Sequence, residues 1–194
     1  MNFFVFSQNL KKNAAFYCDK HLVKIILEVL QLLFAAVSHT EFNGEQMPID
    51  DPYLVAHGVK KTYKTGKSHL KHPCAVAVRR RRRCFRFVAG LGLELCREYT
   101  RRYGKIHACE AGICALFHRG LRKPTHEPYS DTTVTSLVST PHGPVRIPLC
   151  MPLDAIVMSN GRPDAIRSHR NNFRVNKRHF ASYKNTEVPP WLDC

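Results

Sequence analysis

His21, Lys24 and Glu28 are spaced to meet on one face of a helix, and together they suit general acid–base chemistry. At about 100° per residue, Lys20, His21, Lys24, Glu28 and Gln31 fall in one sector about 100° wide, shared only with Ala35. Every other direction from Leu22 to Val37 is apolar, and Glu28 is the sole carboxylate of the span Lys20–Val37. Apolar neighbours disfavour the charged form of such a carboxylate, while Lys24 and His21 favour it. Groups under that tension are suited to acid/base work. An ordinary solvated helix face has the same pattern, so the rest of the chain must decide between the two readings.

The elements that would position these residues are mostly helical. Lys20–Val37 reads as a largely buried helix with Asp19 as its N-cap, and helical pattern extends back toward Asn13. Cys74–Tyr103 reads as a second helix, with Cys84, Val88, Leu91, Leu95 and Tyr99 on one face and with Gly90 and Gly92 marking close packing. Pro163–Tyr183 reads as a third, where Ile166, Phe173 and Phe180 recur every seven residues beside a flank of Arg167, Arg170, Arg174, Lys177 and Arg178. Asn2–Phe6 is a short β-prone stretch, either a strand or an extended arm on the core. Residues 108–162 are proline-rich and read as an irregular insertion or lid containing a hairpin. The expected architecture is a mainly α, single domain over residues 1–194, with three main helices.

Thirty Lys and Arg against fifteen Asp and Glu give a net charge of +15, which points to a polyanionic partner, foremost nucleic acid. The run Arg79–Arg83 spreads over more than a helical turn, so some of its members face the core and need partners while others face solvent. The basic stretch His57–Pro73 reads as a loop able to lie along phosphates. No signal-peptide pattern opens the chain, and Lys24, Glu28 and Gln31 interrupt its longest apolar run. A monomeric intracellular protein without a membrane segment is expected, in the host cytoplasm or nucleus if viral. Its eight cysteines show no disulfide framework.

The motifs carry a resemblance. Asp19, His21 and Leu22 followed by Glu28, on an apolar helix ending in Phe34–Val37, resemble the first helix of the phage pyrimidine-dimer DNA glycosylases of the endonuclease V type. His72–Cys74, Glu98–Ala108 and Lys177–Tyr183 are similar to segments of uncharacterised phage-borne relatives of that family. The resemblance implies a compact helical fold in which the amine at the start of the chain, on Met1 or Asn2, attacks the sugar. Glu28 would assist as the catalytic acid, and His21 would sit near phosphates. Family members carry a small second residue, an arginine before the glutamate and another one turn later; here these are Asn2, Leu27 and Gln31. Lys24 is the fallback imine-forming nucleophile if its amine is desolvated.

The function this implies is DNA base excision on damaged or modified pyrimidines in double-stranded DNA, as an N-glycosylase with AP-lyase activity and no cofactor. Its phosphate contacts would be Lys20, His21, Gln31, Arg79, Arg83, Arg167, Arg170, Arg174, Lys177 and Arg178. The alternative is a non-catalytic basic nucleic-acid-binding or virion-associated structural protein of the same fold. His107, Cys109, Cys114 and His118 stand in a zinc-like order, but no CxxC accompanies them and no metal is expected. Nucleotide-binding and metalloprotease motifs are absent.

Overall fold

The computed structural model describes residues 2–63, 66–140 and 143–193, with the side chains of Lys67 and Ser68 left aside. About 51% of the chain is helical, so helix packing rather than sheet sets the geometry. Among the described residues the helices are α1 (Leu10–Ala15), α2 (Asp19–Glu41), α3 (Pro52–Ala56), α4 (Lys67–Leu70), α5 (Pro73–Arg80), α6 (Arg82–Tyr103), α7 (Glu110–Arg119) and α8 (Ala165–Asn176). Strands β1 (Thr135–Val138) and β2 (Val145–Pro148) form an antiparallel hairpin, and Met158–Ser159 (β3) pairs with Arg162–Pro163 (β4).

Helix α2 is the axis of the core. It is long and apolar enough to cross a membrane by length and composition, yet 72% of its most apolar window is buried inside the protein. Against it pack α5, α6 and α7. Two glycines make that approach close. A Cβ on Gly92 of α6 would stand 2.7 Å from Val29 Cγ1 and 3.1 Å from Ile113 Cγ2, and one on Gly112 of α7 would stand 2.9 Å from Leu30 Cδ1.

The N-terminal arm is extended but pairs with no strand among the described residues. Phe3, Phe4, Val5 and Phe6 are all buried, each worth roughly 1.5–3 kcal/mol of transfer out of water. Buried main-chain polar groups need partners, and here side chains supply them. Asn13 Oδ1 accepts from the amides of Phe6 (2.6 Å) and Ser7 (3.2 Å), while Asn13 Nδ2 donates to Phe4 O (3.1 Å). The Tyr17 hydroxyl accepts from Phe4 N at 2.8 Å and donates to Phe4 O at 2.7 Å. Burial pushes that hydroxyl's pKa far up, so it stays a donor. Arg170 closes the arm with two bonds to Phe6 O, at 3.0 and 2.7 Å.

Several boundaries differ from the sequence reading. The expected helix Cys74–Tyr103 is two helices, broken where Arg81 takes an extended conformation (φ −141°, ψ 128°). Asp19 is not the N-cap of α2; Cys18 holds that position, and the Asp19 carboxylate binds elsewhere. The third helix stops at Asn176, and a single 3-10 turn, Arg178–Phe180, follows. Residues 108–162 hold the β1–β2 hairpin and, beyond the irregular segment expected, the helix α7; Pro141 and His142 lie outside the described residues.

Asp19 anchors a polar clasp instead. It accepts from Arg102 Nη1 (3.2 Å), the Tyr103 hydroxyl (2.9 Å), Ser182 Oγ (3.1 Å) and Lys184 N (2.9 Å). Arg102, whose side chain is 0% exposed, also donates to Glu98 Oε1 at 2.6 Å and to Ala15 O at 3.0 Å. Burial opposes the charge on both carboxylates, but these donors outweigh it and hold Asp19 and Glu98 below their ordinary pKa values. The clasp ties the start of α2 to the end of α6 and to the C-terminal tail.

Two substitutions test this packing. Gly92→Ala gains about 1 kcal/mol in helix propensity but overpacks a stiff Val29, for an expected net loss of about 1 kcal/mol. Arg102→Ala leaves Asp19 and Glu98 short of their buried partner and is expected to cost about 3 kcal/mol, against under about 1 kcal/mol for the exposed Arg101→Ala. Urea unfolding midpoints measure both; equal losses at Arg101 and Arg102 would show that burial does not govern the clasp.

Candidate functional site

Three segments converge on residue 2 of the arm. The arm brings the Asn2 main-chain nitrogen to Glu28 Oε2 at 2.7 Å, on the middle of α2. Glu28 Oε1 pairs with Lys24 Nζ one turn earlier at 3.4 Å, and the Glu28 side chain is 14% exposed. From the start of α5, Cys74 Sγ donates to Asn2 Oδ1 at 3.3 Å. From beyond β2, Cys150 O accepts from Asn2 Nδ2 at 3.3 Å. Met1 lies outside the described residues.

The triplet His72–Pro73–Cys74 has a local explanation. Proline at the first position of α5 is pre-set for a helix start and lacks the N–H that would go unpaired there. His72 caps the helix, its Nδ1 accepting from Cys74 N at 3.2 Å. This places the Cys74 thiol in the first turn, fully buried and 3.7 Å from Cys150 Sγ. The contact between the thiols, with burial, raises Cys74 well above an ordinary thiol, whereas the same contact draws Cys150 down. His72 is pulled below its ordinary value by burial, against the attraction of Glu28.

Other expected residues fall elsewhere. His21 is turned inward: it is 8% exposed and packs against Phe4, Phe173 and Phe180 at ring distances of 5.1, 5.4 and 5.3 Å. Burial, reinforced by Lys177, Lys24 and Lys20, lowers its pKa to about 4, so it is neutral at pH 7. Those three lysines form a basic rim around it, with Lys20 over the Phe180 ring and Lys177 over the Phe4 ring. Lys24 is not the desolvated amine that a fallback nucleophile requires, because its side chain is 66% exposed. Gln31 is half-buried one turn beyond Glu28.

Arg79 is also turned inward, with its guanidinium on Glu127 (2.5 Å) and Leu70 O (2.5 Å). Arg170 is committed to Phe6 O and stacks over Trp191. Arg167 lies 3.8 Å from Asp164, Arg178 pairs with Asp193 at 2.9 Å, and Arg174 reaches Asn171 at 3.4 Å. Of these, Arg167, Arg174 and Arg178 stand exposed on the α8 side of the molecule.

The rest of the arginine run lines a cavity of about 450 Å³ between α5, α6 and the hairpin, together with Arg146, His126 and Tyr129. Arg80 lies over the Tyr129 ring at 4.4 Å, and Arg82 donates to Leu121 O (3.0 Å) and Arg122 O (2.6 Å). Arg83 runs beside Gly143. The seven-residue length of α5 from Cys74 to Arg80 puts this arginine cluster about 10 Å along the helix from the Asn2 site.

No protein-family model matches the chain, and no curated protein or solved structure matches it significantly. The geometry therefore stands by itself. It joins a main-chain nitrogen, a shielded carboxylate, two thiols and an imidazole at one point, with cationic surface on two sides. Among the described residues, His107, Cys109, Cys114 and His118 form no metal-holding group; His107 Nδ1 instead accepts from Cys109 N at 3.2 Å. The sequence carried only a weak signal of His72, in the HPC triplet beside Cys74, and none of Cys150.

Buried histidines make the region around the arm acid-sensitive. His169 is 1% exposed and, through burial, is lowered from 6.5 to about 4, as is His21. Below pH 6.5 the unfolded chain binds protons that these folded histidines do not, so their contribution is complete above that pH and fades as pH falls toward 4. Each is worth on the order of 3 kcal/mol across that window. Stability measured against pH should slope downward from about pH 6.5, and His169→Leu should flatten the slope; an unchanged slope would sink the assignment.

Proposed function

We propose that this protein is a DNA base-excision enzyme: an N-glycosylase with AP-lyase activity on damaged or modified pyrimidines of double-stranded DNA. The observation that supports the reading best is the nitrogen of residue 2, held 2.7 Å from the Glu28 carboxylate. It gives chemical sense to the resemblance of the first helix to the pyrimidine-dimer glycosylases, and with it to their helical fold of three main helices. The attacking group is the amine at the start of the chain. It is the Asn2 nitrogen in a chain that begins there, or the Met1 amine one residue further out.

In this mechanism the unprotonated amine attacks the sugar C1′, and the bond from C1′ to the base breaks as the base departs with the electron pair. Glu28 stabilises the cationic sugar and takes the proton that the attacking nitrogen loses. The C1′–O4′ bond of the resulting aminal then opens as O4′ takes the proton back from Glu28, which leaves an iminium at C1′; loss of a C2′ proton expels the 3′ phosphate by β-elimination. Lys24, paired with Glu28 and exposed, serves as a phosphate contact rather than as the nucleophile. Lys20 and Lys177 extend the same cationic edge. A lesion inside a duplex must leave the stack to reach such a site, most cheaply where pairing is already weakened.

The arginine-lined cavity about 10 Å along α5 favours a second reading, a basic nucleic-acid-binding or virion-associated protein without catalysis. Borohydride reduction of the protein mixed with duplex DNA bearing an abasic site or a pyrimidine dimer separates the two. A covalent adduct mapping to the first residue is expected. Glu28→Gln should lower base release by about 10²–10⁴-fold with duplex affinity little changed. No adduct and no base release, with salt-sensitive binding to undamaged DNA retained, would replace the enzyme by the binding module.

A further inference from the structure

We propose that His72, Cys74 and Cys150 form a zinc-binding site, supplying one imidazole nitrogen and two thiolate sulfurs. The three ligand atoms lie within 4.8 Å of one another, a convergence brought about by residues as far apart in the chain as Cys74 and Cys150. The two sulfurs are 3.7 Å apart. Two thiolates bound at about 2.3 Å on a tetrahedral zinc lie about 3.8 Å apart, so both sulfurs already stand at the spacing the ion requires. A nitrogen and two sulfurs select zinc over magnesium or calcium, which take oxygen ligands.

The mounts are firm on both sides. His72 and Cys74 belong to the start of α5, which packs against α2, and Cys150 follows β2, which packs against α5. His72 Nδ1 accepts a hydrogen bond from Cys74 N at 3.2 Å, so the ring is held at the start of α5 as an imidazole with a lone pair to offer. Loading the ion releases the two thiol protons to solvent and needs no oxidant or reductant. Cys74 is fully buried and Cys150 half-buried, so the ion has an inner wall and an outer approach.

Three protein ligands leave one tetrahedral position. Asn2 stands beside it, with Oδ1 at 3.3 Å from Cys74 Sγ and Nδ2 bonded to Cys150 O. Deprotonating Cys74 removes its donation to Asn2 Oδ1, so with the ion bound the arm is tied to this region by Asn2 Nδ2 on Cys150 O. This inference does not rest on the glycosylase reading, because metal binding is measured without DNA.

The experiment is a titration of the full-length, reduced protein with zinc and with cobalt, alongside C74S, C150S and C114S. One zinc per chain is expected by elemental analysis, with a thiolate-to-cobalt charge-transfer band that zinc abolishes. C150S should lose the band and at least tenfold in zinc affinity, while C114S keeps both. If C74S fails to fold, the displacement of cobalt by zinc in the unmodified protein and the half-buried C150S still decide the matter. Less than a tenth of an equivalent of zinc bound, an unchanged affinity in C150S, or a Cys74–Cys150 disulfide resistant to the reductant that keeps other thiols free would each overturn the site.

Discussion

The structure depends on burying a stretch of main chain that has no strand to pair with. Phe3–Phe6 are too apolar to remain in water, but taking them inside strands their amides and carbonyls unless something answers each one. Asn13 and Tyr17 answer them with side-chain groups, in the way an adjacent strand would with its backbone. Because those two residues sit on α1 and just before α2, the arm has one register, and that register carries residue 2 to Glu28. The position of the site is thus a result of hydrogen-bond satisfaction some four residues away.

The Asp19–Arg102–Glu98 clasp fixes the same helix from its other side. Asp19 and His21 belong to one motif, and Glu98, Arg102 and Tyr103 to another, so the two segments that look familiar in the sequence meet in space. Much of what they share is structural: Asp19 receives four donors, and His21 fills an aromatic niche. Only Glu28, at the far end of the first motif, faces the chain's second residue. Motif residues here divide between holding the fold and facing the second residue of the chain.

Helical periodicity made α2, α6 and α8 legible, since an apolar stripe needs only local spacing to be seen. The Glu28 sector was legible for the same reason, as was the need of some Arg79–Arg83 side chains for internal partners. What the sequence concealed depends on distant residues. The break at Arg81 follows from where α5 and α6 dock, and nothing in five consecutive arginines marks one as extended. Asp19 reads as a cap because caps are local, while its true partners lie more than eighty residues away. Cys150 sits in a proline-rich stretch with no pattern at all, and only the docking of the hairpin on α5 brings it to Cys74.

The extended residue at Arg81 also makes the arginine run rigid in length. Five identical residues look interchangeable, yet three of them are committed to different surroundings: Arg79 to Glu127, Arg80 to Tyr129, Arg82 to two carbonyls. Losing one of them would shorten the connection between two helices that are both docked on α2, so either the extended break or the docking of one helix would have to give. The contacts at stake on α6 are Gly92 against Val29 and Arg102 on Asp19. A tract that seems tolerant by composition is therefore a spacer between two packed elements.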